Sequence, residues 1–302
     1  MMPILCRSGA VMAQTWDALI VGGGPAGLTA ATYLRRYLRS CLVLDDGRSR
    51  ARYIPESQNC PGFPHGISGT DLLGRMREQA RSFGAEFHQG RVSGIVKDGP
   101  DFVAMAGDRE IRASAILLAI GIRDRLPKVD WIEEAIQCGA VRLCAVCDAF
   151  EARDQVIGVY GPLDEIVTHA EFLRAYSSKI VLLPTAASLR PPDGARLDGF
   201  AVLPAGGELS FDGEKCAYRA GGKSHVLDTV YPFLGCEPAD SLFGDLGLKA
   251  TDTGELQVDR YLQTNVERVY AIGDVASGLN QISVAVGHAA VAATHLNREL
   301  PR

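Results

Sequence analysis

Two cysteines separated by two residues, with an acid directly after them, stand at Cys144-Ala145-Val146-Cys147-Asp148. A CxxC pair can close a disulfide, carry two electrons as a dithiol, or supply half of a metal centre. If Cys144 opens a helix, the spacing brings both sulfurs to one face within bridging distance. Helix N-terminal N–H groups would then favour a thiolate. Asp148 would act as acid or base for the thiol that leaves during exchange. His288 is a further candidate base, weighed against a helix histidine satisfied locally. A metal centre needs about four ligands. The chain has no second CxxC and its six histidines are dispersed, which disfavours zinc.

The second chemically pointed stretch is Gly22-Gly23-Gly24-Pro25-Ala26-Gly27. In a dinucleotide fingerprint, Gly22 permits the tight turn, Gly24 lets backbone approach a pyrophosphate, and Gly27 allows close helix packing. Pro25 and Ala26 open the helix whose free N–H groups would face the phosphates. Asp45, about 20 residues on, would bond the ribose hydroxyls. The pattern does not separate FAD from NAD.

Both motifs need elements to hold them. Strands are expected over 18–21 and 41–44 with a helix over 26–38 between them, a βαβ unit. A helix over 70–83 follows, then strands over 91–96, 102–105 and 115–120, with a break at Gly121. A second βαβ unit runs through a strand at 155–160, a helix at 164–176 and a strand at 180–183. Short strands fill 200–233, a strand spans 269–272, and a helix closes the chain over 281–297. This is an α/β protein with largely parallel sheets.

At 302 residues the chain exceeds one ordinary core, so two domains are expected. A net charge of −5 argues against nucleic-acid and anionic-membrane surfaces. No apolar run approaches the roughly 18 residues of a membrane span. Residues 1–11 lack a clear apolar signal region and read as a leader, with Met12 an alternative start. Of eight cysteines, Cys6, Cys41, Cys60, Cys138, Cys216 and Cys236 are scattered and read as reduced thiols of a cytoplasmic protein.

The order of these motifs resembles the low-molecular-weight thioredoxin reductase family, from Ala18 to about Leu300. Tyr270-Ala271-Ile272-Gly273-Asp274-Val275 is similar to that family's second FAD motif, and Asn59-Cys60-Pro61-Gly62-Phe63 to its loop beside the flavin, with Cys60 replacing an aromatic residue. The resemblance implies two Rossmann-like, three-layer ββα domains. A discontinuous FAD domain would span 12–118 and 247–302, and a CxxC-bearing domain 119–246. It implies FAD held by Gly22, Gly24, Pro25, Ala26, Gly27, Asp45, Asn59, Gly121, Gly273, Asp274, Gln281 and Ile282. Asn280 stands where the family usually carries Arg. Cys147 would sit against the flavin, Cys144 would be its partner, and Asp148 the proton donor. A thioredoxin-like protein or small dithiol as partner, and a homodimer, follow from the same resemblance.

One family feature departs. The second fingerprint, which binds NADPH, is matched by Tyr160-Gly161-Pro162-Leu163-Asp164-Glu165. Pro162 has no N–H for a phosphate, and Asp164 and Glu165 would repel it. The run that grips a 2′-phosphate is matched by Pro184-Thr185-Ala186, with Arg190 the next cation. The expectation is an FAD-dependent dithiol/disulfide oxidoreductase that does not use NADPH, its other electron partner a ferredoxin-type protein, a small dithiol or oxygen. A conventional NADPH thioredoxin reductase, and a non-catalytic FAD-binding sensor, are the alternatives.

Overall fold

The computed structural model describes residues 14–186, 197, 199–237 and 246–301. The leader 1–11, Met12 and Arg190 lie outside the described residues.

Around the glycine turn the architecture follows from strands that are apolar on both faces. Ala18–Val21, Cys41–Asp45, Ile116–Leu118, Val269–Ala271 and Glu86–Gln89 form a parallel sheet in which 18–21 lies between 41–45 and 116–118. Successive side chains of a strand point to opposite faces. Accordingly Ala18, Ile20, Cys41 and Val43 enter one core, while Leu19, Val21, Leu42 and Leu44 enter another. Helices α1 (Pro25–Arg36) and α6 (Ile282–Glu299) fill the first core through Leu34, Ala289 and Leu296. The second core is covered by a sheet whose strands include Asp101–Ala106, contributing Phe102 and Ala104. Helix α2 (Gly69–Ser82) starts at Ser68, whose hydroxyl accepts the Asp71 N–H at 3.1 Å.

The same plan recurs between residues 126 and 233. Strands Ala201–Val202, Ile180–Pro184, Ile157–Gly161 and Thr229–Pro232 form a parallel sheet in that order. Helix α5 (Leu163–Leu173) packs one face with Ile166, Val167 and Ala170, and an antiparallel sheet containing Tyr218 and Leu227 covers the other. Arg123–Asp124 pairs antiparallel with Cys236–Glu237 where the chain passes between the two cores. The expected α/β class with parallel Rossmann-like sheets is the class observed. Among the described residues no helix is long and apolar enough to cross a membrane.

Several elements were not expected, among them the strand Arg109–Ala113 and the pair Arg123–Asp124 with Cys236–Glu237. Glu86–Gln89 is an edge strand with polar, half-exposed residues and so carries no apolar run to announce it. The strand read over 91–96 begins only at Gly94. Helix α3 (Ile132–Gln137) is too short to show a helical period, and α4 (Ala145–Asp148) is a single turn.

Candidate active site

Strand 18–21 delivers the chain into the turn at Gly22, where φ is 110° and an added Cβ would lie 2.3 Å from the Ala119 carbonyl oxygen. At Gly27 a Cβ would lie 1.9 Å from the Gly22 carbonyl oxygen, so α1 packs directly on the turn. Gly24 caps α1, Pro25 occupies its first turn, and no acid stands in that turn. The positive end of α1 is therefore left open to an anion. Asp45 ends the next strand nearly buried, with one carboxylate oxygen accepting the Gly47 N–H at 3.0 Å and the other paired with Arg77.

Cys144 and Cys147 are joined, with an S–S distance of 2.02 Å and Cα atoms 5.2 Å apart. Cys144 directly precedes the single turn α4, and its carbonyl accepts the N–H groups of Cys147 at 2.9 Å and Asp148 at 3.2 Å. Those two N–H groups are thus committed to backbone. The side chain that does meet the sulfurs comes from far along the chain. Gln281 donates from Nε2 to Cys147 Sγ at 3.2 Å and to Cys144 Sγ at 3.6 Å. Its Oε1 accepts from Asn59 Nδ2 at 3.0 Å, and Asn59 Oδ1 accepts from the Ser57 hydroxyl at 3.2 Å.

Asp148 is held on both oxygens. Tyr231 donates its hydroxyl to Oδ1 at 2.8 Å, and Arg142 approaches Oδ2 at 3.3 Å. Burial pushes the Asp148 carboxyl above its ordinary range, while Arg142 and Tyr231 pull it back without cancelling the rise. Arg142 Nε is buried without a partner of its own. Opposite the disulfide, Asp274 sits at the start of a 3-10 turn, also pushed upward by burial and drawn back by Arg50. Arg50 pairs with Asp124 and donates to the Leu143 carbonyl at 3.1 Å, one residue before Cys144. His288 does not face the sulfurs: its Nδ1 accepts the Gly273 N–H at 3.3 Å, and burial lowers its pKa.

The glycine turn, Asp45, Arg50, the disulfide, Asp148, Asp274 and Gln281 line one cleft of about 440 Å³. Every candidate residue named for chemistry or cofactor lines it except Gly27 and His288, including Gly121, Asn59, Gly273 and Ile282. Gly27 acts behind the wall by seating α1. Cys60 lies in a small core with Ile67 and Leu72 and does not line the cleft. Arg50, Asp124, Arg142 and Tyr231 were not anticipated. Arg50, Asp124 and Tyr231 are distant in sequence from the groups they contact, while Arg142 stands close before Asp148 but belongs to no motif.

The second fingerprint is built differently. Pro162 caps α5, whose first turn carries Asp164 and Glu165, and Pro162 O accepts the Glu165 N–H at 3.1 Å. An added Cβ on Gly161 would meet the Phe233 carbonyl at 2.2 Å, and Phe233 stacks on His169 with ring centres 3.5 Å apart. None of residues 160–166 lines the cleft that holds the disulfide.

The model of the pyridine nucleotide-disulphide oxidoreductase family matches residues 16–161 and 209–289. The chain belongs to this family. Within it, the chain belongs to the low-molecular-weight thioredoxin reductase group. It is 32% identical over 297 residues to thioredoxin reductase of Aquifex aeolicus, covering 92% of this chain and 90% of that one. The enzyme of that name from Listeria monocytogenes is 31% identical, covering 92% of each chain. The crystal structure of thioredoxin reductase from Streptococcus pyogenes is 27% identical and covers 94% of this chain and 97% of that one, with a TM-score of 0.86. The chain is thus an enzyme of the disulfide oxidoreductase class, and the thioredoxin reductase resemblance read from its motifs holds across its length.

Proposed function

We propose that this chain is an FAD-dependent dithiol/disulfide oxidoreductase that passes electron pairs between FAD and the Cys144–Cys147 pair, and between that pair and a thioredoxin-like protein or a small dithiol/disulfide. The observation that carries this reading is the shared cleft: the glycine turn at one end and the redox disulfide at the other line the same cavity. The residues fit the cofactor. The turn at Gly22 and Gly24 leaves no Cβ in the way of a pyrophosphate, and α1 offers an acid-free N-terminus. Asp45, Asn59, Gly121, Gly273, Asp274, Gln281 and Ile282 would line the rest of the bound molecule. When bound, FAD supplies the two-electron carrier. The division into an FAD part at 12–118 and 247–302 and a CxxC part at 119–246 belongs to the same reading, as do a homodimer and a cytoplasmic setting.

The protein's own groups do the rest. Cys144 and Cys147 exchange with the external sulfurs, and Asp148, oriented by Arg142 and Tyr231, gives or takes the proton of the departing thiol. We read the electron partner as something other than NADPH: a ferredoxin-type protein, a dithiol, or oxygen. Pro162, Asp164 and Glu165 at the start of α5 support this, since they put a missing donor and two carboxylates where a pyrophosphate needs N–H groups. The names of the two relatives at 31% and 32% identity favour the second reading, a conventional NADPH-dependent thioredoxin reductase.

Anaerobic stopped-flow spectroscopy separates the two. A small dithiol is expected to bleach the flavin of the wild type and to fail with Cys147→Ser, while NADPH leaves the flavin yellow on the same timescale. Rapid, stoichiometric bleaching by NADPH would establish the conventional reading. Unchanged flavin kinetics in Cys147→Ser would remove the disulfide from the pathway and point to a sensor.

A further inference from the structure

Gln281 lies 134 residues from Cys147 in sequence, yet its side-chain amide touches both sulfurs. Its orientation is not free. Asn59 donates to Gln281 Oε1 at 3.0 Å, so the amide oxygen is taken on the side away from the disulfide. The Ser57 hydroxyl holds the Asn59 amide on its other side, and the disulfide sulfurs, which carry no proton, can only accept, so the Gln281 NH₂ faces them and its Oε1 faces Asn59. Reversing the Gln281 amide would set its NH₂ against the Asn59 NH₂, two donors facing each other. The relay therefore aims an N–H at sulfur, nearer to Cys147 than to Cys144.

Other groups near this turn are engaged elsewhere. The N–H groups of Cys147 and Asp148 go to the Cys144 carbonyl, so the single turn α4 does not offer them to a sulfur. Arg142 is paired with Asp148 at 3.3 Å, Arg50 is paired with Asp124, Tyr231 donates to Asp148, and Glu151 and Asp274 are acids of the same cleft wall. From α6, His288 is turned to Gly273. Charges around the dithiol thus offer little support for an anion on sulfur, whereas a neutral N–H donor stabilises one without a counter-charge.

We propose that Gln281 is a catalytic residue that stabilises the Cys147 thiolate through its amide N–H, with Asn59 as the positioning residue that aims it. The proposal deepens the oxidoreductase reading and rests on it. In exchange with a reduced dithiol, the incoming sulfur attacks Cys144 Sγ, the Cys144–Cys147 bond breaks, and its electron pair leaves on Cys147. The second thiol of the substrate then attacks the mixed disulfide and releases Cys144. The protein ends with one thiol at Cys144 and one thiolate at Cys147, the substrate is an oxidised disulfide, and one proton goes to solvent. Gln281 thereby makes Cys147 the better leaving group.

The test uses the full-length protein as purified, reduced with excess dithiothreitol and alkylated with iodoacetamide across a pH series, each cysteine being read by peptide mass spectrometry. In the wild type, Cys147 is expected to alkylate with a lower pH midpoint than Cys144. Gln281→Leu should move the Cys147 midpoint up by about one pH unit, the size of a hydrogen bond to a charged group, with a much smaller change at Cys144. Asn59→Leu should shift it the same way by less, and Gln281→Asn, which keeps the amide, should recover part of the effect. Ultraviolet thiolate absorbance followed through the same titration gives a second readout. An unmoved Cys147 midpoint in folded Gln281→Leu overturns the proposal even if dithiols still bleach the flavin. Dithiols that never bleach it count against the oxidoreductase reading instead.

Discussion

Asp148 is pulled in two directions, and the balance makes a prediction. Burial raises its pKa, and the Tyr231 hydroxyl and Arg142 guanidinium stabilise its charged form. Tyr231→Phe keeps the ring in its core and removes only the donor to Oδ1. The carboxyl then rises further above its ordinary value, so the acid limb of the pH–rate profile for dithiol exchange should move to higher pH. The same change should cost about 1 kcal/mol of stability at neutral pH. For a carboxyl raised on folding, stability is fully present below its unfolded pKa and lost as pH rises through the folded one. Denaturant midpoints should therefore separate wild type from Tyr231→Phe at neutral pH and converge at acid pH. A constant gap across pH would mean that the hydroxyl serves packing alone and does not set the charge on Asp148.

Two helices that follow two parallel strands have opposite electrostatics at their starts, and this difference was legible in the sequence. α1 begins Gly24-Pro25-Ala26-Gly27 with no acid, and α5 begins Pro162-Leu163-Asp164-Glu165. Local motifs of this kind carry their meaning within a few residues, as do the CxxC turn and the apolar strands with both faces buried. The clamp around the dithiol was not legible for the opposite reason. Arg50 reaches Asp124 across 74 residues and Leu143 across 93, and Tyr231 reaches Asp148 across 83. Side-chain pairs at such separation leave no periodicity to read. The Gln281 amide shows the same limit: the family resemblance implies the residue as a flavin contact, while its side-chain contact with sulfur depends on how the two cores meet. At the element scale, Gly27→Ala tests the first helix. Its Cβ would fall 1.9 Å from backbone oxygen, so α1 must lift off the turn, at about 3 kcal/mol or more. The expected product is less stable and colourless. Gly24→Ala, whose Cβ meets the Ser49 side chain at 3.1 Å, should melt close to wild type yet lose flavin, because the added Cβ enters the space left for the pyrophosphate. Full flavin content in Gly24→Ala would place the pyrophosphate somewhere other than this turn.

The cleft joins two parts of the molecule with separate cores. Gly22, Asp45 and Asp274 come from the part centred on the five-stranded sheet, and Arg142, Cys144 and Cys147 from the part built on strands Ile157–Gly161 and Ile180–Pro184. Between them run the short pairing of Arg123–Asp124 with Cys236–Glu237, the Arg50 contacts to Asp124 and the Leu143 carbonyl, the Gln281 contacts to both sulfurs, the Arg52–Glu133 ion pair and the packing of Tyr53. These links are thin beside the cores they connect, so each core has reason to melt on its own. A ligand that binds only the folded cleft adds RT ln(1 + [L]/Kd), about 2.7 kcal/mol at a hundredfold excess over Kd. A dinucleotide touching both walls adds that energy to both parts at once. Calorimetry of the flavin-stripped protein should therefore show two transitions, and saturation with FAD should raise both and merge them. Arg50→Met, which frees Asp124 and the Leu143 carbonyl, should widen the gap in the stripped protein by lowering one midpoint. If FAD raises only one transition and leaves the other in place, the flavin rests on one core alone. The Cys144–Cys147 pair would then have to reach it by a movement of the second part rather than by the arrangement seen in this cleft.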